Sequence, residues 1–165
     1  MAHGSPGAIQ IGTVGLSDLP LLTRVHQAAF AGTLGASLGP RYIEAMFRWY
    51  LLEPGAINLV ALHGAEIAGY VFGAADGHWD RFNRALAPTV VASLLRRPRN
   101  LLHPRFLEKI PLHLRSVFGP RRPEEGTVAD DEPVYNLCGI GVAPSLRKQG
   151  IAADLIDQFE GRAWA

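Results

Sequence analysis

The sequence predicts an α/β domain of the α+β type, with helices flanking a sheet, and three observations carry that prediction. Residues 56–63 (AINLVALH) and 66–74 (EIAGYVFGA) are short apolar runs joined by Gly64-Ala65, which reads as an antiparallel hairpin. Two stretches with apolar residues at helical spacing precede the hairpin. Residues 134–165 (VYNLCGIGVAPSLRKQGIAADLIDQFEGRAWA) run from an apolar strand through a short loop with Pro and Gly into an amphipathic helix. Strand, short loop and helix in that order aim free backbone N–H groups at an anion.

In chain order, residues 9–14 (IQIGTV) alternate as a first strand. Ser17 is placed to cap a helix over 18–30, with Asp18 in its first turn and Leu19, Leu22, Val25, Ala29 and Phe30 on its apolar face. Ala31-Gly32 ends it, and the small, Gly-rich AGTLGASLGP reads as a loop suited to line a site or to connect. Pro40 opens a second helix, whose stripe of Tyr42, Ile43, Met46, Phe47, Tyr50 and Leu51 runs to Leu52 before Pro54-Gly55 stops it. The aromatic and Met residues of this half read as core.

Residues 79–97 (with Phe82, Leu86, Val90, Val91, Leu94 and Leu95) and 103–118 read as helices. Pro88, Pro98, Pro104 and Pro111 interrupt them, and 124–132 reads as an acidic, exposed link. The final helix places Ile151, Leu155, Ile156 and Phe159 on one face. One domain over 1–165 is expected, with a disordered start at 1–7, strands and helices over 8–75, a basic helical insertion over 76–131 and the strand–loop–helix over 132–165.

Composition is that of an ordinary globular chain, 48% hydrophobic and 19% charged with net charge +1. No apolar run approaches the roughly 18–20 residues that span a bilayer, and MAHGSPGAIQIG lacks the pattern of a secretory signal. With Cys138 as its single cysteine, the chain has no internal disulfide and no Cys-rich zinc site, and a cytoplasmic location is expected. The near-neutral total hides an asymmetry. Residues 78–122 hold nine Arg and one Lys against only Asp80 and Glu108, whereas 123–165 hold three basic groups against eight acidic ones.

The strongest chemical signal is Arg147-x-x-Gly150-x-Ala152. Gly150 lets backbone approach a phosphate with no Cβ in the way. The amides of 148–152 are the unpaired first N–H groups of a helix, reinforced by its dipole. Arg147 and Lys148 add positive charge, and Ala152 is small where a larger side chain would block approach. Other phosphate loops fit worse. The pattern GxxxxGK[ST] is absent, and Gly139-Ile140-Gly141 meets Pro144 where a dinucleotide fingerprint needs its third glycine.

LCGIGVAPSLRKQGIAADLI resembles motif A of the GCN5-related N-acetyltransferases, the GNAT superfamily, with its [RQ]-x-x-G-x-[GA] signature. The preceding strand, helix, helix, strand, strand order and Leu16-Ser17-Asp18-Leu19 resemble that family's N-terminal half. The resemblance implies a mixed, mostly antiparallel sheet flanked by helices, with the basic helical block inserted between the third and fourth strands. It implies acetyl-CoA, or another acyl-CoA, as co-substrate, with no metal. The pyrophosphate would sit on Lys148, Gln149, Gly150, Ile151 and Ala152 with Arg147 nearby, and the pantetheine arm would pair with Ile140, Gly141 and Val142. A small-molecule or protein amine would attack the thioester directly, with a backbone N–H near Ile140–Val142 polarising the carbonyl.

Two departures from the family pattern stand out. Asn136 occupies a strand position where a general-base Glu is common, leaving Tyr135 and Asn136 as weak catalytic candidates. The family continues past the motif A helix with further strands and a helix, so a C-terminally incomplete domain is expected. These departures support an alternative reading, a non-catalytic acyl-CoA-binding or interaction module with a basic helical surface.

Cys138 reads as core, with no histidine near it in sequence, and the six histidines show no metal-ligand spacing. Glu160 reads as structural and Glu66 as solvated. The basic block at 78–122 would suit an anionic partner or membrane surface. Nucleic acid is disfavoured because no module pattern is present. A homodimer is compatible with the sequence.

Overall fold

In a computed structural model, residues 8–96 and 134–165 are described. The expected disordered start, the helix at 103–118 and the acidic link at 124–132 lie outside them.

The chain begins with β1 (Ile9–Thr13), a 3₁₀ turn at Leu16–Asp18, and α1 (Leu19–Ala29). The cap at this entry is not Ser17. Asp18 is the N-cap of α1, and its carboxylate accepts the Gly15 amide at 2.9 Å, closing the turn. After α1 the Gly-rich segment contains a one-turn helix, α2 (Leu34–Ser37), where the sequence suggested only loop. Thr33 causes it, since its hydroxyl accepts the Ala36 amide at 3.3 Å as an N-cap. Helix α3 (Pro40–Leu52) has Pro40 in its first turn, as expected, and buries Ile43, Met46, Phe47 and Tyr50.

Strands β2 (Ile57–His63) and β3 (Glu66–Ala75) form the hairpin, followed by α4 (Trp79–Arg96). Helix α4 continues through Pro88, which the sequence suggested would interrupt it. Only part of its expected apolar face is covered. Phe82 and Leu86 are buried against α3, while Val91 and Leu95 are exposed. Strand β4 (Tyr135–Val142) and helix α5 (Ile151–Ala163) complete the described structure.

The sheet order is β1-β2-β3-β4, and each of these pairings is antiparallel. Helices α1, α3 and α4 cover one face and α5 the other. Because both faces of β3 are covered, residues 67–74 are all buried, which explains an apolar run without polar alternation. Tyr70, Phe72 and Ala74 join the α1/α3/α4 core, whereas Val71 joins Ile151, Leu155 and Phe159 under α5.

Glycines set how closely these layers approach. A Cβ at Gly73 would lie 2.5 Å from Phe159 Cζ, and one at Gly69 would lie 3.3 Å from both Ile151 Cγ2 and Leu155 Cδ1. Helix α5 therefore packs against bare backbone of β3.

Facing pairs across β3 and β4 put Tyr70 opposite Gly141 and Phe72 opposite Gly139, but Gly73 opposite Leu137. Cys138 is the extra residue of a β-bulge. Bulges twist a strand and re-aim its side chains, and here Cys138 turns toward the α1/α3/α4 core while Ile140 and Val142 face α5.

Candidate functional site

The site forms where β4 hands over to α5. The Ala143 amide donates to Ala68 O at 2.8 Å, and a 3₁₀ turn at Pro144–Leu146 follows. Lys148 then adopts φ 64° and Gly150 φ 81°. Two left-handed residues within three positions turn the chain sharply into α5. Gly150 takes this conformation at little cost and Lys148 with strain.

Gly150 is the N-cap of α5 and offers no side-chain cap, while Asp154 N→Gly150 O at 3.1 Å is the first turn of the helical ladder. The amides ahead of Asp154 therefore have no partner within the helix. Nothing lies within 4 Å of where a Gly150 Cβ would stand, so this helix end faces open space.

A cavity of about 400 Å³ occupies that space. Ile140, Gly141 and Val142 form one wall, Gly150, Ile151, Ala152 and Ala153 a second, and Leu146, Arg147 and Lys148 the rim, with Ala29 and Phe30 closing the far side. Of the nine donor-binding candidates, eight line this cavity. Gln149 is exposed and does not. Ala29 and Phe30 were missed. The sequence pointed to the loop after α1 as a lining segment, but the last turn of α1 reaches the cavity first.

Arg147 has a more specific position than the sequence suggested. Its guanidinium Nη2 donates to Ala29 O at 2.8 Å, and Nε donates to Val142 O at 3.4 Å. A cation at the C-terminal end of α1 also complements that helix's dipole. Arg147 thus pins α1 to the β4–α5 loop, while Lys148 makes no ion pair among the described residues.

Beneath the Gly141 wall lies an aromatic layer. The Tyr70 hydroxyl and His26 Nδ1 are 2.6 Å apart, and the His26 ring stacks on Phe30 at 4.9 Å between centroids. Burial lowers the His26 pKa to about 4, so the ring is neutral near pH 7, and burial also pushes the Tyr70 phenol up. The two glycines of Gly139-Ile140-Gly141 are explained by this layer: a Cβ at either position would enter the ring of Phe72 or Tyr70.

The weak catalytic candidates sit at the start of β4, away from the cavity lining. The Asn136 side-chain amide donates to Asp76 Oδ1 at 2.9 Å, and Tyr135 packs in the α5-side cluster. The structure instead pairs two residues 60 positions apart that the sequence did not connect. Cys138 Sγ lies 3.3 Å from His78 Nε2. His78 is fully buried and its Nδ1 donates to Ala75 O at 2.9 Å, while the Cys138 thiol also donates to Asn136 O at 3.2 Å. Burial raises the thiol pKa, and a hydrogen bond from the Tyr50 hydroxyl opposes that rise. No sequence signal could have found this pair, because it depends on where β3 ends relative to the β4 bulge.

Among the described residues no group of three or more His, Cys, Asp or Glu is arranged to hold a metal, and no helix is long and apolar enough to cross a membrane.

Among the described residues a four-stranded antiparallel sheet leads from its last strand into an uncapped helix N-terminus, an arrangement suited to an anion. The family model for the acetyltransferase (GNAT) family matches residues 22–165, and the chain belongs to that family. Among solved structures it resembles the histone acetyltransferase HPA2 and related acetyltransferase from Corynebacterium glutamicum. The identity is 16% over 94% of this chain and 71% of that one, with a TM-score of 0.50, a likeness of fold. No curated protein matches.

Proposed function

We propose that the protein is an N-acyltransferase that moves an acetyl group from acetyl-CoA to an amine. One observation carries this reading: the uncapped N-terminus of α5, entered through left-handed Lys148 and Gly150, opens on a cavity whose other wall is β4.

The residues present fit a CoA donor. The open space above Gly150 admits a phosphate, the first amides of α5 hold it, and Lys148 contributes charge at the rim. Among the described residues β4 pairs only with β3, so its second edge is open along Ile140–Val142 for the amides of a pantetheine arm, with the Val142 carbonyl already accepting from Arg147. An N–H of that edge is suited to polarise a thioester carbonyl, and holding both reactants in one cleft supplies much of the remaining rate. When bound, the donor supplies an activated thioester. Direct attack by the amine, the route the family resemblance implies, also needs a group to take the amine's proton, and the Asn136 amide, bound to Asp76, is not a base.

The lack of a base at Asn136 favours one rival, a module that binds acyl-CoA without turnover. Calorimetry with acetyl-CoA followed by a free-thiol assay over a panel of amines separates the two. Binding with thiol release supports the transferase, and binding alone supports the module. Gly150→Trp should abolish acetyl-CoA binding while the melting curve stays cooperative, because the side chain enters open space and only the left-handed backbone resists it. Undiminished affinity would remove the donor assignment.

A further inference from the structure

We propose that Phe30 is the apolar wall of the cavity that selects a nucleotide bearing a pantetheine arm, and that His26 is the positioning residue that holds this wall in place. The proposal deepens the acyl-CoA reading of the cavity and rests on it.

Such a donor asks for two kinds of surface. The Gly150 end of the cavity has free amides and a basic rim, which suit the phosphates of any nucleotide. The pantetheine arm is different chemistry. Next to its phosphate it carries a carbon with two methyl groups, and the amides that can pair with β4 come only further along. An apolar contact beside the phosphates is what separates this donor from a nucleotide without the arm. Among the described residues that line the cavity, Phe30 alone is aromatic, and it closes the far side. Its neighbour Ala29 accepts from Arg147 at 2.8 Å, so Phe30 is anchored beside the loop that enters α5.

His26 joins this wall to the opposite one. Its ring stacks on Phe30 at 4.9 Å between centroids, and its Nδ1 is 2.6 Å from the Tyr70 hydroxyl oxygen. Tyr70 in turn lies beneath Gly141 of the β4 wall, where a Cβ would be 2.7 Å from that same oxygen. Phe47 meets His26 edge-on at 5.6 Å and Tyr70 at 5.0 Å, which boxes the imidazole among rings. Burial keeps the imidazole neutral near pH 7, so it packs as an aromatic ring rather than as a cation. Phe30, His26 and Tyr70 are thus continuous from one wall to the other, and the imidazole sets the spacing between Phe30 and β4.

The position of Phe30 makes that support necessary. It follows the last residue of α1, and an untied helix end frays. The Arg147 bond holds the backbone just before it, and the His26 stack holds its ring.

The test compares two ligands that share a pyrophosphate. Acetyl-CoA and ADP are titrated by calorimetry into wild type, Phe30→Ala, Phe30→Leu and His26→Ala. Loss of an apolar contact to two methyl groups should weaken acetyl-CoA binding about tenfold in Phe30→Ala. ADP binding should not change, and Phe30→Leu, which keeps apolar bulk, should stay close to wild type. His26→Ala should show the same selective loss, and the double variant Phe30→Ala/His26→Ala should lose no more than Phe30→Ala alone. Undiminished acetyl-CoA affinity in Phe30→Ala overturns the proposal and leaves the donor reading intact. An equal loss for ADP, or a loss that Phe30→Leu fails to restore, also overturns it, because Phe30 would then only shape the loop. Additive losses in the double variant remove His26 as the positioning residue. No binding of acetyl-CoA to wild type overturns this proposal and the donor reading together. The Phe30 variants decide even if His26→Ala fails to fold.

Discussion

Tyr70 and Gly141 face each other across the β3–β4 ladder, and a Cβ at position 141 would lie 2.7 Å from both Cζ and Oη of Tyr70. The small residue in the strand is thus the complement of a large ring beneath it, and that ring holds the His26 contact under the cavity wall. Gly141→Ala forces either the ring or β4 to move. Overpacking of this kind costs about 1–3 kcal/mol. We expect a destabilisation in that range by urea denaturation, together with weaker acetyl-CoA binding by calorimetry. Unchanged stability would show that β4 yields freely at this point.

The tie from Arg147 to Ala29 leads to a second expectation. Removing the guanidinium by Arg147→Ala breaks the contact between the end of α1 and the β4–α5 loop. An exposed hydrogen bond from a charged group should contribute about 1 kcal/mol to stability. The more telling readout is local: amide hydrogen exchange should accelerate in 29–38 and in 147–152 together. Acceleration in only one segment would mean that the two are not held by this residue.

Much of this arrangement was legible in the sequence, and what was not has a common cause. Hairpin, helix α3 and the strand–loop–helix are each specified by neighbours in the chain: Gly64-Ala65, Pro40, and the Pro144-to-Gly150 loop. Eight of the nine residues proposed to hold a donor line the cavity because one loop and its flanks carry them all. Ala29, Phe30 and His78 reach their positions through packing between elements distant in sequence, and no local spacing records that. Thr33 was legible in principle, since a cap residue before a small-residue turn is a local signal, but the glycines around it masked the signal. Pro88 shows the opposite case, in which tertiary packing of Phe82 and Leu86 keeps α4 continuous despite a local breaker.

The packing of α5 against bare β3 backbone leads to a third expectation. Phe159 is 4% exposed and rests where Gly73 has no side chain. Truncation by Phe159→Ala should cost about 3–5 kcal/mol, the range for a buried aromatic. Gly73→Ala should also destabilise, because its Cβ would meet Asn136 O and the Phe159 ring, and backbone cannot withdraw easily. In the double variant Phe159→Ala/Gly73→Ala the ring clash is gone, so the two costs should sum to more than the double variant shows. Strict additivity in denaturant melts would mean that the two residues do not meet.

His26 provides a pH-dependent expectation. Its folded-state pKa is about 4 against 6.5 for the free side chain, lowered by burial. Between those values the unfolded chain binds a proton that the folded chain refuses, so proton uptake favours unfolding. The contribution of neutral His26 is present in full above about 6.5, is lost progressively as pH falls toward 4, and levels off below. Carboxylates titrate in part of the same window, so the measurement is a difference. Stability of wild type minus that of His26→Gln should decline as pH is lowered through this range, with Gln retaining an amide that can accept from the Tyr70 hydroxyl. A difference that stays flat from pH 7 to pH 4 would mean that the ring charges in place, and that the Tyr70–His26 contact tolerates an imidazolium beneath the cavity wall.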